Sequence, residues 1–280
     1  GGRAVAVIAL GRGSGRPYGA GKQELFEELA ARAAIALGNA RQYEHERRTA
    51  LTLQRSLLPQ RLPEVPGLAF AWRYLPGSAG ALVGGDWYDV LPLDDGRVAL
   101  VIGDVMGHGI HAAATMGQLR ATARTWAAGN PAPADVLGRL DMTVSRLEQG
   151  RITTAVFAVL DPATGLLTIA SAGHLPPLVV PPRGGAYFVP LDPGPPLSAG
   201  LPEYTETELV LEPGSTLLFF TDGLIEDRAR PVDEGMRMLQ RQLHAADSPD
   251  QLCDRALVAL GRATDNDDVA LLAVALAAPP

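Results

Sequence analysis

Four aspartate sites share one context: each stands at the edge of an apolar, strand-like run, beside glycine or a turn residue. They are Gly84-Gly85-Asp86-Trp87-Tyr88-Asp89, the run Val98–Gly109 with Asp104 after Ile102-Gly103, the run Leu217–Gly223 ending in Asp222, and Asp265-Asn266-Asp267-Asp268-Val269. A carboxylate at the end of a buried strand is costly unless it is paired, hydrogen-bonded or bound to a cation. No Lys and few Arg flank these sites, so the expected partner is a metal ion. Carboxylates with backbone carbonyls and water make an oxygen-only shell that suits Mg²⁺ or Mn²⁺ rather than zinc. Clustered carboxylates can hold two ions, which together activate water for attack on phosphorus. The neighbouring glycines let backbone approach an ion closely. Taken singly, each Asp reads equally as a turn or helix cap, and spacing alone leaves both readings open.

Other polar residues read more blandly. His108 is the titratable group nearest Asp104, but the simpler reading is a helix N-terminal residue held by hydrogen bonds. His108 and His111 lie three apart without a further nitrogen or sulfur ligand in reach, so no zinc site is expected. His174, in Gly173-His174-Leu175-Pro176-Pro177, reads as a structural turn residue. Asp89 falls on the opposite strand face from Asp86, because side chains alternate, and is expected to be solvated or to brace the ligands. Glu226 reads as a brace for the Asp222 loop, and Trp72, Trp87 and Trp126 as core.

The elements that must carry these residues follow from hydrophobic periodicity. Strands are expected at 3–10, 69–75, 81–91, 97–103, 153–160, 166–172, 177–181, 205–211, 215–221 and 267–276. Helices are expected at 22–58, 108–128, 134–149, 233–246 and 249–263. Strand pairs, helix pair, many strands, helix pair, last strand is not βαβ alternation. It predicts an α+β fold: antiparallel sheet with helices segregated outside. The run from Lys22 to Leu58 lacks proline and is long for a globular helix. Phe26, Ala33 and Ala40 fall seven apart, as do Leu29, Ala36, Tyr43, Ala50 and Leu57, an Ala-rich heptad-like seam interrupted by Arg47 and Gln54. It reads either as a signalling helix that dimerises or as an amphipathic helix packed on its own domain. Pro59, Pro63 and Pro66 end it and mark a boundary.

Composition bounds the function. The chain has 280 residues, 47% of them hydrophobic and 20% charged, enough to bury a core. The 24 basic against 31 acidic residues give −7, which argues against nucleic-acid or anionic-membrane binding. The single cysteine, Cys253, excludes an intramolecular disulfide framework and any multi-Cys zinc site; a reducing, cytoplasmic compartment is expected, though a disulfide-free secreted protein would look the same. No run approaches the roughly 18 apolar residues of a membrane span. The chain starts Gly1-Gly2 without Met and reads as a piece of a longer one.

Six motifs in order carry a resemblance. Leu53-Gln54-Arg55-Ser56-Leu57-Leu58-Pro59, Gly84–Asp89, Gly103-Asp104-Val105-Met106-Gly107-His108-Gly109, Ala170-Ser171-Ala172-Gly173-His174-Leu175-Pro176-Pro177, Phe220-Thr221-Asp222-Gly223-Leu224-Ile225-Glu226 and Asp267-Asp268-Val269 together resemble the bacterial PPM-type (protein phosphatase 2C-like) serine/threonine phosphatases of the stage II sporulation protein E class. The stretch Leu29–Arg41 is similar to the C-terminal end of a GAF sensor domain. The resemblance implies three segments: 1–40 as a GAF-like remnant, 41–66 as a helical linker and 67–280 as the phosphatase domain. It implies two packed antiparallel sheets flanked by helix pairs, with two Mn²⁺ or Mg²⁺ ions at one edge. Asp86 and Asp104 would be core ligands, the Val105 carbonyl a backbone ligand, and Asp222 would complete one shell. Asp267 is preferred over Asp268 for the last carboxylate, because relatives keep the first Asp and vary the second. The family's usual glycine after Asp104 is Val105 here, which preserves a carbonyl ligand. Eukaryotic relatives place a His where Met106 stands, so His108 becomes the nearest candidate proton donor.

By the same resemblance the substrate would be a phosphoserine or phosphothreonine on a regulatory protein such as an anti-sigma-factor antagonist, and the partner through the long helix a second copy. Two other readings compete. A non-enzymatic module of this fold would need a damaged carboxylate set. A nucleotide cyclase, suggested by the similarity of Gly84-Gly85-Asp86-Trp87-Tyr88 to the Gly-Gly-Asp-Glu-Phe signature, needs an acid where Trp87 stands.

Overall fold

The computed structural model describes residues 7, 9, 19–77, 84–130, 132–147, 151–200, 203–226, 230–245, 248–260 and 267–278. By internal contacts the chain divides into two units, Gly1–Thr52 and Leu53–Pro280. The helix α1 (Ala20–Leu57) is 38 residues long. The strand expected at 3–10 falls on residues of which only 7 and 9 are described, and 81–83 also lie outside the described residues.

The second unit holds ten strands among the described residues: β1 (Leu68–Leu75), β2 (Trp87–Pro92), β3 (Val98–Val105), β4 (Thr153–Leu160), β5 (Leu166–Ala172), β6 (Leu178–Val180), β7 (Tyr187–Phe188), β8 (Glu206–Val210), β9 (Thr216–Phe220) and β10 (Val269–Leu276). They form two antiparallel five-stranded sheets, ordered β1-β10-β9-β6-β7 and β2-β3-β4-β5-β8. The two-residue β7, inside the short apolar run Ala186-Tyr187-Phe188-Val189, is not among the expected strands. Residues 84–86, expected as strand, precede β2, which begins at Trp87, although the Val105 N–H still donates to the Gly85 carbonyl at 3.3 Å in the β2–β3 register.

Helices α2 (Ile110–Ala127) and α3 (Pro133–Ser145) cover the second sheet; α4 (Val232–Gln242) and α5 (Pro249–Ala259) cover the first. Pro133 and Pro249 occupy first-turn positions, where a missing N–H costs nothing, and Ser248 caps α5 through Gln251 N–H at 3.2 Å. Central strands read as unbroken apolar runs because both faces are buried. In β10, Ala270, Leu272 and Val274 join the core between the sheets, while Val269, Leu271 and Ala273 face α4 and α5. In β9, Leu217 and Phe219 point inward and Leu218 and Phe220 outward. Trp87 is fully buried, but Trp126 is 44% exposed, with the Arg139 guanidinium 4.4 Å over its ring; it ties α2 to α3 rather than filling the core. Among the described residues no helix is long and apolar enough to cross a membrane.

Candidate metal centre

Topology brings the acidic sites to one edge of the sandwich. The start of β2 lies beside the end of β3 (Trp87 opposite Gly103), and the end of β9 beside the start of β10 (Phe220 opposite Leu271). The end of β1 pairs with the start of β10, Leu75 opposite Val269. Asp86 precedes β2, Asp104 is near the end of β3, Asp222 follows β9, and Asp267 and Asp268 precede β10. Four strand ends from two sheets thus deliver five carboxylates.

The two-residue period then decides which side chains enter the space between the sheets. Asp268 follows the inward parity of Ala270, and its Oδ2 accepts from the Tyr74 hydroxyl at 2.5 Å while Oδ1 accepts from Gly77 N–H at 2.8 Å. Asp86 crosses to the other sheet: the Thr221 hydroxyl donates to its Oδ2 at 2.7 Å and in turn accepts from Ala270 N–H at 2.9 Å. Asp104 and Asp86 are close enough to perturb each other's carboxyl. Asp267 stays at the exposed rim, where its Oδ1 accepts from Asp268 N–H at 2.8 Å.

Glycines make these approaches possible. A Cβ on Gly84 would sit 1.1 Å from Asp268 Oδ2, and one on Gly85 only 2.1 Å from the Val105 carbonyl oxygen. A Cβ on Gly223 would sit 2.0 Å from the Asp268 carbonyl oxygen. The Gly-Gly-Asp and Asp-Gly motifs are therefore packing requirements of the site.

Electrostatically the group is an excess of negative charge. Burial, then Asp104 and Asp268, pushes Asp86 well above the usual carboxylate range. Burial and then Asp222 raise Asp104 to about 7; burial and then Asp267 and Glu226 raise Asp222 to about 6. Asp267 is also raised, chiefly by desolvation, with His108 opposing. Such a set fits divalent cations, since carboxylates and the Val105 carbonyl are the hard oxygen donors these ions take. The carboxylates are gathered but not preassembled: among the described residues no three acidic, His or Cys groups stand together as a ligand shell. Asp86 and Asp268 are turned onto Thr221, Tyr74 and Gly77. Tyr74 and Thr221 were not singled out from the sequence. Thr221 adjoins the Asp222 motif and was findable there; Tyr74, nearly 200 positions from its partner, carries no local signal.

Two expectations change. Asp89 is not solvated: it is fully buried on the outer face of β2, where Arg120 Nε (2.7 Å), Arg124 Nε (2.6 Å) and Arg124 Nη2 (2.9 Å) donate to it. The outer face is covered by α2, so the water expected there is replaced by guanidinium groups. His108 is not pinned by hydrogen bonds among the described residues; it is exposed beside Asp267, and Gly109 rather than a polar side chain caps α2. Glu226 closes the Asp222 turn through its backbone N–H, 2.7 Å from the Asp222 carbonyl. Cys253 is buried under the first sheet with its thiol pushed up to about 12, which excludes it as a thiolate nucleophile.

Residues 94–277 match the family model of stage II sporulation protein E (SpoIIE). The chain belongs to the SpoIIE family. This is a PP2C-type serine/threonine phosphatase family, and the matched span includes Asp104, Asp222, Asp267 and Asp268. The RsbU and RsbW domains of a Mycobacterium tuberculosis protein have a crystal structure similar to this one, at 35% identity and TM-score 0.73 over 80% of this chain and 64% of that one. Protein IcfG of Synechocystis is 28% identical over 226 residues, covering 69% of this chain and 34% of its own. Phosphoserine phosphatase RsbP of Bacillus subtilis is 27% identical over 158 residues, covering 54% of this chain and 39% of its own. The chain therefore spans little more than a third of the length of these two curated relatives.

Proposed function

We propose that the chain is the catalytic part of a Mn²⁺- or Mg²⁺-dependent protein phosphatase that hydrolyses phosphoserine or phosphothreonine on a regulatory protein of the anti-sigma-factor antagonist kind. The observation that carries this reading is the gathering of five carboxylates from four strand ends at one edge, with burial and mutual repulsion raising Asp86, Asp104 and Asp222 and no basic group among their main perturbers. SpoIIE membership and the similarity to a phosphoserine phosphatase support it.

Asp104, Asp222, Asp267 and the Val105 carbonyl would hold the ions, with Asp86 completing the set. Asp267 is favoured over Asp268 because Asp268 already accepts from Tyr74 and Gly77, whereas Asp267 faces Asp222. When bound, two such ions supply a water nucleophile at neutral pH and neutralise the phosphoryl oxygens. The chain's own groups do the rest. Thr221 holds the Asp86 carboxyl between the sheets, and the covered interior behind it excludes bulk water. His108, exposed at the rim, would protonate the leaving serine oxygen. No covalent enzyme intermediate is needed.

The test is hydrolysis of a phosphoserine peptide with and without Mn²⁺. Turnover abolished by chelation and restored by Mn²⁺ is expected. A chain that binds no divalent cation in calorimetry would instead favour a binding module of the same fold, the reading that the unassembled carboxylates also permit.

Residues 1–66 we read as the end of a GAF-like sensor (1–40) and a helical linker (41–66), with the long helix α1 pairing with that of a second copy. Along α1, Leu25, Leu29, Ile35 and Tyr43 are 44–64% exposed, an apolar surface that a parallel partner helix would cover. Sedimentation should show a dimer at micromolar concentration; a monomer at 100-fold higher concentration would rule this pairing out.

A further inference from the structure

His174 belongs to a motif that the proposed chemistry leaves unused, yet it is only 5% exposed and its two ring nitrogens reach different sheets. Nε2 lies 3.2 Å from the Phe220 carbonyl of β9. A carbonyl only accepts, so Nε2 carries the proton, and Nδ1 accepts from the Thr154 hydroxyl of β4 at 2.7 Å. Burial holds the ring neutral, with its pKa lowered to about 4, which preserves one donor and one acceptor.

The strand register explains why an imidazole is needed here. β6 pairs with β9 as Leu178 to Leu218 and Val179 to Leu217. Continued toward the carboxylates, that register sets Phe220 opposite Pro176, which has no N–H to give. His174 supplies the donor that the proline lacks. Its own placement is fixed on both sides. Gly173, at φ +66, turns the chain, and the Ser171 hydroxyl bonds both the His174 N–H (3.1 Å) and its carbonyl (3.0 Å).

Both ends of this bridge lead to carboxylates. Thr154 lies directly opposite Asp104 in the β3–β4 ladder. Phe220 precedes Thr221, which holds Asp86, and Asp222. We propose that His174 is a positioning residue of the phosphatase site: by tying β4 to the end of β9 it sets the spacing between Asp104 on one sheet and the Thr221–Asp222 segment on the other. This rests on the metal-dependent reading above and adds a residue to it.

The experiment compares the wild-type chain with His174→Phe, His174→Gln and Thr154→Val. It measures Mn²⁺ affinity by calorimetry and p-nitrophenyl phosphate turnover against Mn²⁺ concentration. His174→Phe keeps volume but loses both bonds. It is expected to weaken Mn²⁺ binding and lower kcat at saturating Mn²⁺ by about tenfold or more each, the size of effect seen when groups orienting ligands are removed, with substrate KM little changed. His174→Gln, which restores an N–H toward Phe220, should recover part of both. A folded His174→Phe protein with Mn²⁺ affinity and kcat within about twofold of wild type would overturn the proposal. Should His174→Phe not fold, near-isosteric Thr154→Val decides: wild-type affinity and kcat there overturn it, and a several-fold loss of both supports it. A wild type that binds Mn²⁺ but hydrolyses nothing would sink the phosphatase reading alone, leaving His174 to be judged by calorimetry.

Discussion

Asp104→Asn is expected to abolish turnover while making the cation-free protein more stable. Burial and Asp222 raise the Asp104 carboxyl from 3.8 to about 7. A carboxyl raised in the folded state helps stability fully only below its unfolded pKa, and that help is lost as pH rises through the folded value. At pH 8 the ionised Asp104 therefore costs on the order of 2–4 kcal/mol, which near-isosteric Asn removes. In a chelator-containing buffer at pH 8 the variant should melt higher than wild type, and the difference should vanish near pH 4. With Mn²⁺ present the order should reverse, because cation binding stabilises only the wild type by mass action. Turnover should fall about a hundredfold or more, the loss of several kcal/mol of charge stabilisation. An Asp104→Asn protein that is less stable without cations, or retains a tenth of wild-type turnover, would contradict this account of the site.

The largest stability loss is expected at Asp89, outside the chemistry. Asp89→Ala leaves Arg120 and Arg124 facing a dry pocket between α2 and β2. Removing one partner of a buried pair costs about 3–5 kcal/mol. Arg124 is half exposed and regains water, so most of that cost falls on Arg120, which is 17% exposed and also donates to the Leu57 carbonyl at the end of α1. Thermal melts should drop by roughly ten degrees for a domain of this size. Adding Arg120→Met should restore much of it, since the stranded charge is then gone. A single-variant drop of only a degree or two would show that the cluster is solvated after all.

Much of the site was legible before the fold. Asp104 and Asp222 each end a near-continuous apolar run, the pattern a strand buried on both faces gives, and Gly85 and Gly223 advertised close backbone approach. The α+β order also followed from periodicity, because helix and strand place apolar residues at 3.6- and 2-residue intervals. The motifs' chain order was specific enough to suggest the family. What the sequence left open were choices between equal local options. Asp267 and Asp268 differ only in parity, and parity matters only once β10 is paired: Asp268 then points between the sheets to Tyr74, and Asp267 to the rim.

Asp89 shows the complementary case. Alternation correctly placed it opposite Asp86, but which medium lay on that face was not written locally. Arg120 and Arg124, one helical turn apart on α2, were the available signal, readable only by assuming that α2 packs on β2. His174 was read as structural from its turn. Its connection to Asp104 and Asp222 exists because the β6–β9 register runs into Pro176 and an imidazole stands in for the missing N–H. The sequence by itself determined which residues are acidic, which runs are strands and where the backbone must come close, since these depend on side-chain chemistry and local period. Only the tertiary structure decided which carboxylates meet and what holds them. The bonds that hold Asp86 and Asp268 reach Thr221 and Tyr74, 135 and 194 positions away, and strand pairing rather than any local preference sets them.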